Sequence, residues 1–236
     1  MNEYVITKNS ATHSNAIIQI QRFKSEADAK MRQFIGGYRQ HHFHLPEYFM
    51  DIYLIRHTQT ATDPGLCYGQ TDIALAASFD DEMGKLHDKL PEFDDDCKVF
   101  SSPLTRCLQL AETFSDTVIT DTRLQELNFG DWEGQRFDGI DPAALQQWTE
   151  NFVTAAPPNG ENFEDLYRRA GSFWQELLGT DAKQVLVITH AGVIRALLAH
   201  ALNLPLANSF QLRIDAGSAH KLRQVDDYLY VEYINL

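Results

Sequence analysis

The stretch Gln184-Val-Leu-Val-Ile-Thr189 decides the fold class, because an uninterrupted apolar run of this length is typical of a strand buried on both faces of a parallel sheet. Shorter runs predict strands at Asp51-Ile-Tyr-Leu-Ile55 and Lys98-Val-Phe-Ser101, and alternating segments within Gln211–Ile234 predict a closing meander. Helices are predicted between these strands, at 79–90, 104–115, 141–153, 162–178 and 192–202. The alternation indicates an α/β fold: a doubly wound, mostly parallel sheet with helices on both faces.

Arginine and histidine side chains follow three of the predicted strands. Arg56 and His57 come directly after the strand that ends at Ile55. Arg106 follows the second strand, and His190 follows the third. Because ligands of doubly wound sheets bind beyond the carboxyl ends of the strands, we expect two arginines and two histidines to meet at one edge of the sheet.

This set of side chains suits phosphoryl transfer. A guanidinium group presents a planar fork that binds phosphate oxygens through two hydrogen bonds. A neutral imidazole can attack phosphorus and form a phosphohistidine, provided that its other ring nitrogen donates to a fixed acceptor such as a backbone carbonyl. A second arginine and a second histidine would balance the charge on the equatorial oxygens. The chemistry therefore requires no metal and no cofactor.

Length, charge and cysteine content exclude several classes of protein. The 236 residues suffice for one α/β domain with an appendage, and no apolar stretch approaches the roughly 20 residues that cross a bilayer. A formal net charge of -13 makes nucleic acid and anionic membranes unfavourable partners. The N-terminus lacks a secretory signal pattern, and the three cysteines have no CxxC spacing. These features predict a cytoplasmic protein without a zinc or disulfide framework.

Residues 1–49 differ in character from the rest of the chain. They carry six basic and four acidic side chains, whereas the whole chain is strongly acidic. A segment this short cannot bury much surface alone, so we expect an N-terminal extension, either mobile or containing a helix over 24–40, followed by a catalytic domain over 50–236. His41, His42 and His44 lie in this extension without a nearby carboxylate or cysteine, and they are not predicted to bind metal.

Four segments resemble, in order, the motifs of the histidine phosphatase superfamily, also called phosphoglycerate mutase-like. Leu54-Ile-Arg56-His57-Thr58-Gln59-Thr60 resembles its Arg-His-Gly motif, and Ser101-Ser-Pro-Leu-Thr-Arg106 its second-arginine motif. Leu124-Gln-Glu126-Leu-Asn-Phe-Gly130-Asp-Trp-Glu-Gly134 is similar to its acid-bearing segment. Thr189-His190-Ala-Gly192-Val-Ile-Arg195 is similar to its second-histidine motif. Together these segments cover roughly residues 51–200, and they imply the phosphoglycerate mutase-like fold.

The resemblance implies a role for each matched residue. His57 is the nucleophile, and Glu126 is the proton donor to the leaving oxygen and then the base for water. The phosphoryl group is bound by Arg56, His57, Arg106, His190 and the N–H of Ala191, which opens a helix after the third strand. Arg195, one helical turn further on, is expected to be structural.

Two positions depart from the family pattern. Thr58 stands where glycine is usual, and Asp63 falls where asparagine often contacts phosphate, so the phosphate contact is not carried over to Asp63. The loop Asp63-Pro-Gly-Leu-Cys-Tyr-Gly-Gln-Thr-Asp72 is similar to that of the alpha-ribazole phosphatase branch, which acts in cobalamin synthesis.

The leading functional hypothesis is a phosphomonoesterase for a small phosphorylated metabolite, with alpha-ribazole 5'-phosphate as the first candidate. Three alternatives stay open: a phosphoglycerate mutase, a protein phosphohistidine phosphatase, and a non-catalytic regulatory module on the same fold. Against the mutase, the segment 131–165 carries eight acidic residues and one base, Arg136, where a diphosphorylated sugar acid would need more bases. The identity of the leaving group and the oligomeric state do not follow from the sequence.

Overall fold

The computed structural model describes residues 4–7, 19–22, 49–226 and 228–236. The chain divides into two compact units, Met1–Leu45 and Pro46–Leu236. In the first unit, strands β1 (Tyr4–Thr7) and β2 (Gln19–Arg22) pair antiparallel. The helix expected over 24–40 and the histidines at 41, 42 and 44 lie outside the described residues, and the domain boundary at Met50 stays a prediction.

The second unit is built on a six-stranded mixed sheet. Its strands are β3 (Phe49–Arg56), β4 (Lys98–Ser101), β5 (Val118–Thr120), β6 (Gln184–Thr189), β7 (Ala219–Val225) and β8 (Tyr228–Tyr233). They are ordered β5-β4-β6-β3-β7-β8. The first four in this order run parallel, whereas β7 and β8 are antiparallel to their neighbours. The prediction of a mostly parallel sheet that ends in a meander is confirmed.

Five α-helices are seen in the described part of the second unit, and they match the five predicted ones. They are α1 (Phe79–Lys89), α2 (Thr105–Ala111), α3 (Pro142–Asn151), α4 (Phe163–Leu178) and α5 (Ala191–Leu202). Side-chain caps fix two of the starts: Asp141 accepts from the N–H of Ala144, and Asn162 from that of Asp165. Helix α5 ends at Leu202 and is capped by Asn203, whose φ of 51° is left-handed.

Helices cover both faces of the sheet, as predicted. Alternate residues of β3 point to opposite faces: Ile52 and Leu54 pack into the core with α4 and α5. Tyr53 and Ile55 pack into the second core with α1 and α2. All four side chains are buried, so the strand that carries the candidate site is fixed from both sides. No helix among the described residues is long and apolar enough to span a bilayer.

Strands β1 and β2 were not predicted in the extension, and in the second unit α2 and β5 differ from the sequence prediction. Helix α2 ends at Ala111 and not near residue 115, because Thr113 and Phe114 close tighter turns, their N–H groups donating to the carbonyls of Leu110 and Ala111. Strand β5 was not predicted: it has three residues at the edge of the sheet and is partly exposed, so it lacks the apolar run that marks the inner strands.

Candidate active site

The sheet topology brings His57 and His190 together. Strands β3 and β6 are parallel neighbours in which Arg56 lies opposite Thr189, so the next residue of each strand leaves the sheet at the same level. The N–H of His57 donates to the carbonyl of Thr189 at 3.1 Å. The centroids of the two imidazole rings are 5.2 Å apart, with 64° between the ring planes.

The ring of His57 is fixed in one tautomer. Its Nδ1 lies 2.7 Å from the carbonyl oxygen of Thr58, and because a carbonyl can only accept, Nδ1 carries the proton. The Nε2 lone pair is then available. The side chain is 4% exposed, and burial, followed by the charges of Arg106 and Arg56, lowers its pKa from 6.5 to about 3 against the opposing effect of the Thr58 carbonyl. His57 is therefore a neutral imidazole at physiological pH.

Both candidate arginines are held by main-chain carbonyls. Arg106 is fully buried, and its two Nη atoms donate to the carbonyls of Thr71, at 2.9 Å, and Gly69. Arg56 donates through Nη1 to the carbonyl of Ile214 at 2.8 Å. The Nε of each is buried and has no hydrogen-bond partner within the described chain. Buried guanidinium donors of this kind favour an anionic acceptor.

His190 forms the inner wall of the site. It is fully buried, its Nε2 is 2.8 Å from the hydroxyl of Ser102, and the thiol of Cys107 lies 3.5 Å from the same nitrogen. Burial, followed by the proximity of His57 and Arg106, holds the pKa of His190 well below its ordinary value. The sequence suggested that this second histidine would help balance phosphate charge. A lowered pKa favours the neutral ring, so the positive charges that line the site are those of Arg56 and Arg106, and the phosphate-binding role expected for His190 stays a prediction.

The carboxylate of Glu126 lies against the N-terminus of helix α5. Its Oε1 accepts from the N–H of Leu127 at 2.9 Å, and its Oε2 accepts from the N–H of Gly192 at 3.1 Å. A Cβ at residue 192 would lie 2.3 Å from Oε1, so this approach requires glycine. These two backbone donors fix the position of the Glu126 side chain. The N–H of Gly192 therefore serves Glu126, and the N–H of Ala191, which the sequence predicts to bind the phosphoryl group, lies one residue before it.

The two residues that depart from the family pattern lie in different surroundings. Thr58 is fully buried, and its carbonyl is the acceptor that fixes His57. Asp63 is exposed on its loop. Arg195, expected to be structural, donates through Nε to the carbonyl of Leu212 at 3.1 Å and stacks 4.7 Å above the ring of Phe210.

Sequence reasoning missed several partners of these side chains. Ser102, the partner of His190, lies inside a matched motif segment, so it could have been examined as a candidate. The carbonyls of Thr58, Gly69 and Thr71 could not, because every residue has a carbonyl and only the fold decides which one faces an arginine or imidazole.

A protein-family model matches most of the chain. The model of the histidine phosphatase superfamily (branch 1) matches residues 52–236. The chain belongs to this superfamily. This histidine phosphatase is 30% identical over 177 residues to the adenosylcobalamin/alpha-ribazole phosphatase of Escherichia coli, covering 71% of this chain and 87% of that protein. It is 31% identical over 181 residues to the glucosyl-3-phosphoglycerate phosphatase of Mycobacterium tuberculosis, covering 66% and 77%.

A solved structure extends the likeness to three dimensions. The crystal structure of the alpha-ribazole phosphatase from Shigella flexneri superposes with a TM-score of 0.73 at 26% identity, covering 79% of this chain and 96% of that one. The phosphoglycerate mutase-like fold is therefore confirmed. The family match and the phosphatases among its relatives identify the chain as an enzyme, a histidine phosphatase.

The buried histidines of this histidine phosphatase predict acid sensitivity. Burial lowers the pKa of His57 to about 3 and that of His220 to about 4. Both rings stay neutral in the folded state, whereas in the unfolded chain they take up protons as the pH falls below 6.5. The free energy of unfolding should therefore decrease from about pH 6.5 downward, by up to about 1.4 kcal/mol per pH unit for each such histidine.

Urea unfolding between about pH 7 and about pH 5 measures this slope. His220→Asn keeps an acceptor for the N–H of Asn235, which now donates to His220 Nδ1, but removes the titrating ring. We expect the variant to lose one histidine's share of the slope. An unchanged slope would show that His220 is protonated in the folded state.

Proposed function

We propose that this histidine phosphatase is a phosphomonoesterase that transfers the phosphoryl group of a small metabolite to Nε2 of His57 and then to water. The observation that carries the proposal is the state of His57: a buried neutral ring whose Nδ1 is committed to the Thr58 carbonyl, beside two arginines. That arrangement is the one a nitrogen nucleophile needs.

The reaction has two steps. In the first, the Nε2 lone pair attacks phosphorus, the bond from phosphorus to the ester oxygen breaks, and Glu126 gives a proton to the departing oxygen. In the second, Glu126 takes a proton from water as the water oxygen attacks phosphorus, and the P–N bond breaks to release phosphate and neutral His57. The hydrogen bond from the N–H of Gly192, one position beyond Ala191, to Glu126 supports this role, because it places the carboxyl group next to the proposed phosphoryl site.

Electrostatic stabilisation in this mechanism comes from the guanidinium groups. The carbonyls of Gly69, Thr71 and Ile214 orient Arg106 and Arg56, and the buried Nε atoms of both arginines can donate to phosphoryl oxygens. His190 and the N–H of Ala191 complete the proposed phosphoryl-binding site. Two fixed positive charges match a phosphate dianion, so the proposed chemistry needs no metal ion and no cofactor.

Alpha-ribazole 5'-phosphate is the substrate we propose first. Support comes from the loop 63–72, which is similar to that of the alpha-ribazole phosphatase branch, and from the likeness to phosphatases with that name. A phosphoglycerate mutase is disfavoured because the single base of the segment 131–165, Arg136, is paired with Asp138. The likeness to a glucosyl-3-phosphoglycerate phosphatase makes a phosphorylated sugar acid the second candidate.

A panel of phosphomonoesters with and without a chelator tests this proposal. It should contain alpha-ribazole 5'-phosphate, glucosyl-3-phosphoglycerate, 3-phosphoglycerate, phosphoserine and a phosphohistidine peptide. We expect kcat/KM for alpha-ribazole 5'-phosphate to exceed the others by about tenfold or more, and activity to be unchanged by excess chelator. A preference for phosphoglycerate or the peptide would overturn the substrate assignment. A large loss with chelator, restored by magnesium or zinc, would overturn the metal-free mechanism.

We also propose the setting of the enzyme. The family match begins at Ile52, which supports a phosphatase domain over 50–236 preceded by an extension over 1–49. The three cysteines, Cys67, Cys97 and Cys107, are unpaired, which supports a reducing compartment such as the cytoplasm. The net charge of -13 supports a small metabolite, and neither nucleic acid nor an anionic membrane, as the partner.

A further inference from the structure

The position of Arg106 depends on a loop outside its own helix. Its guanidinium donates to the carbonyls of Gly69 and Thr71, and the ring of Tyr68 lies 5.4 Å from its Cζ. Both acceptors belong to the backbone of the segment 69–72, which we call the arginine loop. The orientation of the guanidinium is therefore only as fixed as the backbone of that loop.

The carboxylate of Glu133 fixes the arginine loop from the other side. Oε1 accepts from the N–H of Gln70 at 2.8 Å and from that of Phe129 at 3.1 Å. Oε2 accepts from the N–H of Thr71 at 2.6 Å and from the Thr71 hydroxyl. One half-buried carboxylate thus satisfies four donors, three of them on two consecutive residues of the loop. Although burial raises it, the hydrogen bonds from Thr71, Gln70 and Phe129 hold the pKa of Glu133 below its ordinary value.

The arginine loop is also attached to both candidate catalytic segments. Asp72 accepts from the N–H of Thr105, at 2.9 Å, and from its hydroxyl, at the first residue of α2 beside Arg106. The Gln70 side chain donates to the carbonyl of Glu126 at 3.1 Å. A Cβ at residue 69 would lie 1.8 Å from the Leu127 carbonyl, so the loop packs directly on that segment. A shift of the loop would move both.

We propose that Glu133 is a positioning residue for phosphoryl transfer, which acts through the arginine loop to orient the guanidinium of Arg106. The inference rests on the proposed function. Glu133 bonds the N–H groups of residues 70 and 71, and the carbonyls of residues 69 and 71 in turn bond the arginine. Because the phosphoryl oxygens take up their planar, equatorial arrangement only in the transition state, a displaced guanidinium lowers kcat more than it raises KM.

A double-mutant cycle separates positioning from a purely structural role. The variants are Glu133→Gln, Arg106→Lys and the double variant, assayed on p-nitrophenyl phosphate well below the melting temperature of each. Gln retains one acceptor oxygen but turns an amide N–H toward the loop. We expect Glu133→Gln to lower kcat by about tenfold to about a hundredfold with little change in KM. Arg106→Lys should cost more, and the double variant should resemble Arg106→Lys alone, because the arginine is the group through which Glu133 acts.

Asp121→Asn is the matched control. Asp121 is another half-buried carboxylate that accepts from a backbone N–H, that of Arg123, and its ion pair with Arg123 lies outside the arginine loop. This variant should lose stability and keep kcat. If Glu133→Gln does not fold, Thr71→Val replaces it in the cycle, because this variant removes only the exposed hydroxyl donor to Glu133. We expect Thr71→Val to lower kcat by about threefold to about tenfold. In the Arg106→Lys background the same substitution should not lower kcat further.

The outcomes distinguish this inference from the function beneath it. If the wild type is active and the losses in kcat of the two single variants multiply in the double variant, the positioning role is wrong, but the phosphohistidine mechanism stands. The same holds if Glu133→Gln keeps kcat within about twofold of the wild type. A wild type that hydrolyses no phosphomonoester, or does so without phosphorylating His57, would overturn the proposed function and this inference with it.

Discussion

Replacement of His57 with alanine is expected to abolish turnover, with kcat falling by about 10⁴-fold or more. The neutral ring has its Nδ1 bonded to the Thr58 carbonyl, and only Nε2 is free to attack phosphorus. His190 cannot replace it as the nucleophile, because its Nε2 faces Ser102 and Cys107. Steady-state hydrolysis of p-nitrophenyl phosphate measures the loss, and circular dichroism checks the fold.

His87→Ala is the control for this prediction. His87 lies on α1, half-buried, with its Nε2 bonded to the Thr113 hydroxyl and its ring stacked on Phe114. Removing it should leave kcat within about twofold of the wild type. Residual activity of His57→Ala within about tenfold of the wild type would mean that the ring does not make the covalent bond.

Replacement of Glu126 with glutamine should separate good from poor leaving groups. An alkoxide must be protonated as it departs, whereas p-nitrophenolate needs little help, so we expect a loss of about 10²-fold to about 10⁴-fold on an alkyl phosphate and a far smaller one on the aryl ester. Gln also turns an amide group toward the N–H of Leu127 or Gly192, which adds a loss common to both substrates. The ratio of the two losses is therefore the measurement.

Glu82→Gln controls for the loss of a carboxylate near the site. Glu82 accepts from the N–H of Gln59, two residues after His57, and from the Ser78 hydroxyl, and it has no role in the proposed mechanism. Its loss should affect alkyl and aryl esters equally. Equal losses on both esters in Glu126→Gln would remove Glu126 from the acid role.

Much of the fold could be predicted from the sequence because burial leaves a pattern. The β3 and β6 strands read as apolar runs since both faces of the sheet are covered, and placing His57 and His190 after them was enough to predict their proximity. Strand β5 could not be found in this way. Its three residues are held by pairing with β4, and pairing of an exposed edge requires no particular residue.

The candidate site was predictable in its side chains and not in its supports. The arginines and histidines could be predicted from their residue type and their positions after strands, and Glu126 from the motif resemblance. The acceptors that orient Arg56 and Arg106 are carbonyls of Ile214, Gly69 and Thr71, which come from distant loops and carry no residue signature. The lowered pKa of His190 was equally hidden, because it follows from complete burial and from the nearby side chains of His57 and Arg106.

The loop 63–72 shows how one sequence signal can have two readings. In the sequence it resembles the corresponding loop of the alpha-ribazole phosphatase branch. In the structure its last four residues bond Arg106, Thr105 and Glu133. Because these contacts hold the arginine that the proposed mechanism uses, they give this part of the loop a proposed role that does not depend on the substrate.

The most direct test of the account is the chemistry of the labelled enzyme. Wild-type protein is mixed briefly with a phosphate-labelled substrate, denatured, and digested for peptide mapping. We predict acid-labile, base-stable label on the peptide that contains His57, attached at Nε2 because Nδ1 is bonded to the Thr58 carbonyl, and no label on His57→Ala. Label on serine or cysteine, or on another histidine in the wild type, would contradict the account.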